Sequence, residues 1–264
     1  MFKQRLLTTL ILVPLVLCII YYGSLGIFTA IISLLLIGAA FEGASLVPIH
    51  NFFIKAIFVV AIPALAYLYY LYFDSILLLS LVTWFLLIVA ITSFPASQRV
   101  WGYRPIVALA LLIVLPIFAA GLVYVYQLEN GNNLIVYLLV IVWAVDIGAY
   151  LIGKQFGSHK LIPKVSPGKT IEGAIGGLIL AFIVASIACY LFKINDIKNW
   201  FLLAFVLTII SMFGDLFISM LKRRVKLKDT GNLFPGHGGV LDRLDSLIAA
   251  TPFFFKGLIL LAGQ

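Results

Sequence analysis

The chain has 264 residues, of which 64% are hydrophobic and 11% charged, and its mean hydropathy is +1.18. A soluble domain of this length could not bury so much apolar surface, which excludes the soluble globular class. The formal net charge of +8 is compatible with nucleic acid, anionic lipid or an anionic substrate as a partner. Repeated apolar runs of about 20 residues predict an all-α, polytopic integral membrane protein.

Nine apolar runs are long enough to predict about nine transmembrane helices. In chain order they cover residues 6–22, 25–47, 52–73, 75–94, 105–127, 133–152, 171–192, 200–221 and 240–262. The first run follows Lys3 and Arg5 as a secretory signal would, but no clear small-x-small cleavage site ends it, so we interpret it as a span. Without an internal repeat or low-complexity linker, residues 1–264 are predicted to form a single transmembrane domain.

The distribution of basic residues predicts a cytoplasmic N-terminus, because cytoplasmic loops carry an excess of Lys and Arg. With that orientation, 14 of the 18 Lys and Arg residues fall on the inner side. They are Lys3, Arg5, Lys55, Arg99, Arg104, Lys154, Lys160, Lys164, Lys169, Lys222, Arg223, Arg224, Lys226 and Lys228. The Gly- and Pro-rich segments 153–170 and 222–239 then become cytoplasmic loops, the C-terminus lies outside, and the expected location is the inner (cytoplasmic) membrane.

The two halves of the chain differ in polarity. Residues 1–130 are predicted to be scaffold helices, with Glu42 as their one buried acid, and their surfaces suit lipid-facing packing or a dimer contact. Glu42 lies near the cytoplasmic end of its span, from which it could join the site, but it is not among the assigned site residues. Residues 131–264 carry most of the polar residues and are predicted to be the catalytic half. Cys18 and Cys189 both lie in apolar runs, which predicts free, buried thiols rather than a disulfide.

Three acids from three predicted helices lie at a similar depth. Asp146, Asp215 and Asp245 are each six to eight residues from a basic or glycine-rich loop, which is about 9–12 Å along a helix. Asp242 is three residues before Asp245 and shares its helix face. Acids inside spans are costly and by default functional, and one or two carboxylates plus substrate phosphates suit Mg²⁺. The alternative is an internal salt-bridge network, for instance between Asp215 and Arg243.

The loop between the sixth and seventh predicted spans offers groups that bind phosphate. Ser166, Lys169 and Thr170 lie at the start of a predicted helix. The free N–H groups and the positive dipole end of a helix N-terminus attract an anion there. The sequence therefore predicts a phosphate-binding segment at this helix start.

Two short patterns in the same region have simpler interpretations. Residues 168–170 read Gly-Lys-Thr, but they do not form a Walker A loop, since Pro163 occupies the position of a required glycine and a preceding strand is not expected. Gly173 and Gly177 have the GxxxG spacing that favours close packing between helices.

The second basic segment, residues 222–228, also has a structural explanation, because charges beside a membrane fix topology and attract anionic lipid. Lys222 and Arg223 follow the helix that carries Asp215, and these two we assign to function. His237 stands between two glycines, which let a backbone approach a ligand, and it could donate a hydrogen bond to a phosphate or act as an acid. Because the charge lies beside the membrane, nucleic acid is excluded as a partner.

Residues 219–245 resemble the signature of the phosphatidate cytidylyltransferase (CDP-diacylglycerol synthase) family without a departure. The signature is a Ser, Lys-Arg, four residues, Lys-Asp, a small residue, a Pro or Gly, His-Gly-Gly and Asp-Arg-x-Asp. It is met by Ser219, Lys222, Arg223, Lys228, Asp229, Gly231, Pro235, His237, Gly238, Gly239, Asp242, Arg243 and Asp245. Residues 146–150 and 166–173 also resemble the family, and the first five spans match it in length and hydropathy.

The resemblance implies an Mg²⁺-dependent reaction in phospholipid biosynthesis, in which CTP and phosphatidic acid give CDP-diacylglycerol and pyrophosphate. It also implies a site facing the cytoplasm, a homodimer, and a second, monovalent cation such as K⁺ as an option. The implied metal ligands are Asp215 and Asp242, supported by Asp245 and Asp146. The implied catalytic residues are Asp215, Lys222, Arg223, His237, Asp242, Arg243 and Asp245. The implied substrate-binding residues are Ser166, Lys169, Thr170, Glu172, Ser219, Lys228, Asp229, Gly238 and Gly239.

The chemistry of this reaction requires no protein nucleophile, since phosphatidate is itself anionic and catalysis consists mainly of positioning and charge neutralisation. Three other functions stay open on sequence alone. A CTP-dependent polyprenol or dolichol kinase would transfer the γ-phosphoryl group and release CDP. A cation-coupled transporter would place its acids near the midplane between repeats, and a lipid-binding scaffold would bind lipid without turnover.

Overall fold

The computed structural model describes residues 2–231 and 238–262, with side chains described for residues 10–231 and 238–261. The helices in the first half are α1 (Phe2–Tyr22), α2 (Leu25–Leu46), α3 (Phe52–Leu71), α4 (Phe73–Thr92), α5 (Gln98–Trp101) and α6 (Arg104–Tyr126). The second half contains α7 (Gly131–Phe156), β1 (Lys160–Ile162), β2 (Ser166–Thr170), α8 (Ile171–Phe192), α9 (Ile197–Arg224) and α10 (Leu241–Ala262).

The predicted all-α, polytopic membrane architecture is confirmed. Within the described part of the chain, eight helices are long and apolar enough to span a membrane. The remaining predicted span corresponds to α1, whose part with described side chains includes the apolar stretch Leu10–Tyr22. The chain is therefore an integral membrane protein.

Side chains in the short connections fix where several spans begin. The Ser24 hydroxyl accepts a hydrogen bond from the N–H of Ile27 at 3.3 Å at the start of α2. At the start of α3, Asn51 Oδ1 accepts from the N–H groups of Phe53 and Ile54 at 2.9 and 3.1 Å. Each cap satisfies backbone donors that have no partner inside the helix, which stabilises the helix by about 0.5–2 kcal/mol.

Two helices extend further than the hydropathy predicted. Helix α7 continues through Lys154 to Phe156, and α9 continues through Lys222 and Arg223 to Arg224. The predicted loop boundaries at residues 153 and 222 are therefore wrong by three or four residues. The physical reason is that cations are favourable in the last turn of a helix, where the dipole is negative, although they lower the local hydropathy.

The sequence predicts no strand before residues 168–170, and this prediction is wrong. Strands β1 and β2 form an antiparallel hairpin in which Lys160 pairs with Thr170 and Ile162 with Ser166. Pro163 begins the turn, which is closed by a 3.1 Å hydrogen bond from the N–H of Val165 to the carbonyl of Ile162. Gly168, Lys169 and Thr170 thus belong to the second strand, and the segment is still not a Walker A loop.

The core of the bundle lies around α6 and α9, while α3 is peripheral. In the most apolar window of each helix, 67% of α6 and 61% of α9 is buried, compared with 11% of α3. Such peripheral apolar faces contact lipid in a membrane protein.

The predicted burial of the two cysteines is wrong, because an apolar residue of a span can also face lipid. Both cysteines are free, as predicted, but Cys18 is exposed and Cys189 is only half-buried.

The most extensive helix contact joins α7 and α8. A side chain at Gly173 or Gly177 would lie 2.8 Å from the carbonyl oxygen of Ala149 or Val145 on α7. Gly148 likewise approaches the backbone of Gly176 too closely for a Cβ atom. The GxxxG spacing therefore serves close helix packing, as predicted, and this packing fixes α7 beside the start of α8.

Candidate active site

Three helices bring three carboxylates together at the end of the bundle that carries the hairpin. Asp146 lies on α7, Asp215 on α9 and Asp245 on α10, and each interacts electrostatically with the other two or with the charges around them. Helices α9 and α10 align because Gly214 lets them approach: a Cβ atom there would lie 3.0 Å from the Cα of Ser246. We call Asp146, Asp215 and Asp245 the acidic group.

Lys169 supplies a positive charge to the acidic group from the second hairpin strand. Its ammonium lies 2.5 Å from Asp215 Oδ2, and it interacts electrostatically with Asp146 and Asp245 as well. The other oxygen of Asp215 accepts a hydrogen bond of 3.1 Å from Ser219, one helical turn further along α9. The salt bridge that holds Asp215 is thus made with Lys169, while Arg243 interacts electrostatically with Asp146.

A cavity of about 420 Å³ opens beside the acidic group, which is large enough for a small-molecule substrate. Its walls come from α7, the hairpin, the start of α8 and α9. Its polar lining consists of Asp146, Tyr150, Lys154, Lys169, Thr170 and Asp215. Acids and lysines therefore face one space, an arrangement that suits a polyanionic ligand together with a cation.

The hairpin is fixed to the helix that follows it. The Thr170 hydroxyl oxygen caps α8 by accepting a 3.1 Å hydrogen bond from the N–H of Gly173. Glu172 accepts from the N–H of His159 at 3.1 Å, and its carboxylate lies 2.6 Å from His159 Nδ1. These contacts place Thr170 at the cavity wall and give Glu172, predicted to bind substrate, a bond to the hairpin.

A second group of polar contacts surrounds Asp242 at the start of α10. Lys222 Nζ lies 2.6 Å from Asp242 Oδ1, and their side chains are only 14% and 7% exposed. Asp242 Oδ2 accepts hydrogen bonds from the N–H of Thr230 at 2.8 Å, the hydroxyl of Thr230 at 3.0 Å and the N–H of Gly239 at 3.0 Å. Both oxygens of Asp242 are thus engaged by the chain, unlike those of a carboxylate open to a ligand.

The remaining predicted site residues fall around these two groups. The Nε of Arg223 donates to the carbonyl of Val165 at 3.4 Å, which ties α9 to the hairpin turn. Gly238 has a φ of +84°, a conformation that favours glycine, and a Cβ atom there would lie 2.8 Å from Asp242 Oδ2. Of the others, Lys228, Asp229 and Arg243 are exposed and Ser166 is half-buried. His237 and Pro235 lie outside the described residues.

Tyr150 and Lys154 of the cavity lining were not among the predicted site residues, and neither were Glu42 and Thr230 at the same end of the bundle. Glu42 on α2 is 7% exposed, and its carboxylate accepts hydrogen bonds from Thr230 and from the backbone at residues 240 and 241. Thr230 in turn connects Glu42 with Asp242. The one signal in the sequence was the burial of an acid in an otherwise apolar span, which by itself names no partner.

The donor atoms of the acidic group are carboxylate oxygens, which are the ligands that the hard cation Mg²⁺ prefers. The Lys169 ammonium is the cation that lies beside them. Among residues 2–231 and 238–262, no set of three or more His, Cys, Asp or Glu side chains already has metal-binding geometry. Since Mg²⁺ is commonly held by one or two carboxylates plus substrate phosphates, the group fits a metal that enters with its substrate.

Comparison with known proteins identifies the family. The model of the cytidylyltransferase family matches residues 3–261. A Haemophilus influenzae protein named phosphatidate cytidylyltransferase is 36% identical over 281 aligned positions, covering 96% of this chain and 97% of the relative. A Pseudomonas aeruginosa protein of the same name is 40% identical over 262 positions, with 96% of each chain covered.

A Rickettsia bellii protein, also named phosphatidate cytidylyltransferase, is 41% identical over 159 positions, covering 56% of this chain and 68% of the relative. The family model and the first two relatives span both the scaffold helices and the half that carries the acidic group. The chain therefore belongs to the cytidylyltransferase family, among relatives named phosphatidate cytidylyltransferase, and is a nucleotidyltransferase.

Proposed function

We propose that this protein transfers CMP from CTP to phosphatidic acid, giving CDP-diacylglycerol and pyrophosphate. The observation that carries the proposal is the cavity lined by Lys169, Asp146 and Asp215, beside which Asp245 interacts electrostatically with all three. A reaction between two polyanions requires positive charge to offset their repulsion, so positively charged and cation-binding side chains must lie close together in the site. The names of the relatives support CTP and phosphatidate as the two substrates.

In the proposed reaction a phosphate oxygen of phosphatidate attacks the α-phosphorus of CTP. A new P–O bond forms there, the bond to the oxygen that bridges the α- and β-phosphates breaks, and pyrophosphate leaves with the electron pair. Phosphatidate is already ionised, so no protein nucleophile takes part. The task of the protein is to hold both substrates in line and to balance their charge.

The cavity offers residues for each task. Lys154 and Lys169 would bind phosphate oxygens, and Thr170 lies at the helix N-terminus, where an anion is favourable. The acidic group would hold Mg²⁺, which when bound reduces the repulsion between the two polyanions. The same acids are the proposed position of a second, monovalent cation such as K⁺. Asp242 stays a predicted ligand, although its oxygens are engaged by the chain.

The reaction is tested with purified protein, phosphatidate, Mg²⁺ and CTP labelled with ³²P at the α-phosphate. We expect label in the lipid phase and an equal amount of pyrophosphate. Diacylglycerol is the matched control, because it lacks the attacking phosphate and should take up no label. Excess chelator should abolish the reaction, and added Mg²⁺ should restore it.

Three results would overturn these proposals. Absence of lipid label with every cation tested would reject cytidylyl transfer. Transfer of label from γ-labelled CTP to lipid, with release of CDP, would assign a kinase reaction instead. Full turnover in excess chelator would reject the role of Mg²⁺ while leaving the transfer itself intact.

We further propose that the site faces the cytoplasm from the inner membrane of a bacterial cell. Supporting this, the described hairpin and the basic residues at the end of α9 lie on the side where the positive-inside rule places the cytoplasm. A single cysteine placed at Lys160, with Cys18 and Cys189 replaced by Ser, should react with a membrane-impermeant maleimide only after permeabilisation. Reaction in intact spheroplasts would show that the orientation is opposite to the one proposed.

The homodimer also stays a prediction, which light scattering of the purified protein would check.

A further inference from the structure

A buried carboxylate from the scaffold half lies at the start of α10. Glu42 Oε1 accepts a hydrogen bond from the N–H of Val240, and Oε2 accepts one from the N–H of Leu241, both at 2.9 Å. Val240 immediately precedes α10 and Leu241 is its first residue, and backbone donors at this end have no partner inside the helix. Glu42 therefore caps α10 from a different helix, 198 residues away in sequence from Val240.

The same carboxylate contacts the chain on the other side of the glycine-rich segment. The hydroxyl of Thr230 lies 2.7 Å from Glu42 Oε2 and 3.0 Å from Asp242 Oδ2, so it can donate its proton to either carboxylate. Glu42 thus joins residue 230 to residues 240 and 241, and Thr230 extends the network to Asp242. We call Glu42, Thr230 and Asp242 the capping cluster.

Two glycines show how closely the backbone surrounds Glu42. A Cβ atom at Gly231 would lie 2.8 Å from the carboxyl carbon of Glu42, and at Gly239 a Cβ atom would overlap both carboxylate oxygens. Gly38 on α2 also approaches Val240, with 3.1 Å between its ideal Cβ and the valine Cγ2. Backbone at Gly231 and at Gly239 is therefore packed against the Glu42 side chain, which leaves that side chain little freedom to move.

The position of α10 matters for the acidic group, because Asp245 lies one turn after Leu241 on the same helix. Helix α10 is held against α9 at Gly214, next to Asp215, where a Cβ atom would lie 2.8 Å from the Cβ of Ala249. A shift at the start of α10 would move Asp245 relative to Asp215. A displacement of about 1 Å at a catalytic group is enough to lower the rate roughly 100-fold.

We propose that Glu42 is a positioning residue for the nucleotidyl-transfer site: by capping α10 and binding Thr230, it sets the placement of Asp242 and Asp245. The kinetic part of this role rests on the proposed cytidylyl transfer. The structural part does not, because it concerns contacts of residues 230 and 238–241. Glu42 touches neither the acidic group nor the cavity lining, so it acts through other residues.

The test compares Glu42→Gln with Ser80→Ala. The Gln side chain has the same shape, but one of its two terminal atoms is an NH₂ group, which would face a backbone or hydroxyl donor. Ser80 is equally buried in the scaffold half, and its hydroxyl has no hydrogen-bond partner in the described part of the chain, which makes its removal a matched control. Both variants are purified in the same detergent with the wild-type protein.

Hydrogen–deuterium exchange of residues 238–245 is the readout that needs no activity. We expect faster exchange there in Glu42→Gln and unchanged exchange in Ser80→Ala. For turnover, we expect kcat to fall at least about 10-fold in Glu42→Gln, while the KM for CTP changes by less than about twofold because Lys154, Lys169 and Thr170 are untouched. If Glu42 were needed only for folding, its substitution would lower the yield of active protein, and the active fraction would keep the wild-type kcat and KM.

A second pair of variants addresses the case in which Glu42→Gln does not fold. Thr230→Val removes the hydroxyl that links Glu42 to Asp242, whereas Thr230→Ser keeps it. We expect Thr230→Val to lower kcat several-fold and Thr230→Ser to retain it. Unchanged exchange at residues 238–245, or wild-type kcat in both Glu42→Gln and Thr230→Val, would overturn the proposal. Faster exchange together with an inactive wild-type protein would instead reject the proposed reaction and keep the capping contact.

Discussion

Replacing Asp215 by Asn is expected to lower turnover by at least about 100-fold, because loss of a group that only supports a metal ligand already costs about 10–100-fold. The change removes the negative charge that now pairs with Lys169 and that would hold the metal. The amide keeps the shape of the side chain and can still accept the hydrogen bond from Ser219. We therefore expect the variant to fold and to lose activity at every Mg²⁺ concentration.

Asp74→Asn is the matched control for this variant. Asp74 is an exposed acid in the first turn of α4, outside the acidic group and the cavity lining, and the substitution changes the net charge by the same amount. Both variants should elute from size exclusion as the wild-type protein does and show a similar Tm. Wild-type turnover of Asp215→Asn across Mg²⁺ concentrations would remove Asp215 from the metal site. Turnover that returns at high Mg²⁺ would show weakened binding of the metal instead of its loss.

Much of the site could be predicted because membrane burial makes polar residues informative. Asp146, Asp215 and Asp245 were expected at one depth from their distance to the loops, and the structure does bring them together. Hydropathy also located the spans. It failed at the end of α9, where Lys222 and Arg223 continue the helix, because a hydropathy window registers their charge but not their favourable interaction with the helix dipole.

The contacts that were missed are those between distant parts of the chain. Lys169 was predicted to bind phosphate, but its pairing with Asp215 depends on a hairpin that brings residue 169 back over the bundle. That hairpin is short and contains Pro and Gly, so it has neither the length nor the composition that predicts strands. Glu42 and Val240 are 198 residues apart, and no local pattern links them. Cys18 was expected to be buried, although an apolar run in a membrane protein can equally face lipid.

The second large effect is expected for the pair formed by Lys222 and Asp242. Both side chains are almost fully buried, so removal of one partner leaves an unpaired buried charge. We expect such a change to lower the free energy of unfolding by about 3–5 kcal/mol. Asp242→Asn should show this loss in full, since its new NH₂ group must face either the Lys222 ammonium or the donors of Thr230 and Gly239. Lys222→Met should be milder, because Asp242 keeps three hydrogen-bond donors. Titration of folded protein with SDS measures both free energies.

The double variant Lys222→Met/Asp242→Asn separates stability from catalysis. With the ammonium gone, the new amide can turn its NH₂ group toward the methionine and its oxygen toward Thr230 and Gly239, so we expect the double variant to be more stable than Asp242→Asn alone. If Asp242 is also a metal ligand or Lys222 is also a catalytic residue, as the family resemblance implies for both, the stabilised double variant stays inactive. Recovery of turnover along with stability would assign Asp242 to the capping cluster alone, and the metal would then be held by Asp146, Asp215 and Asp245.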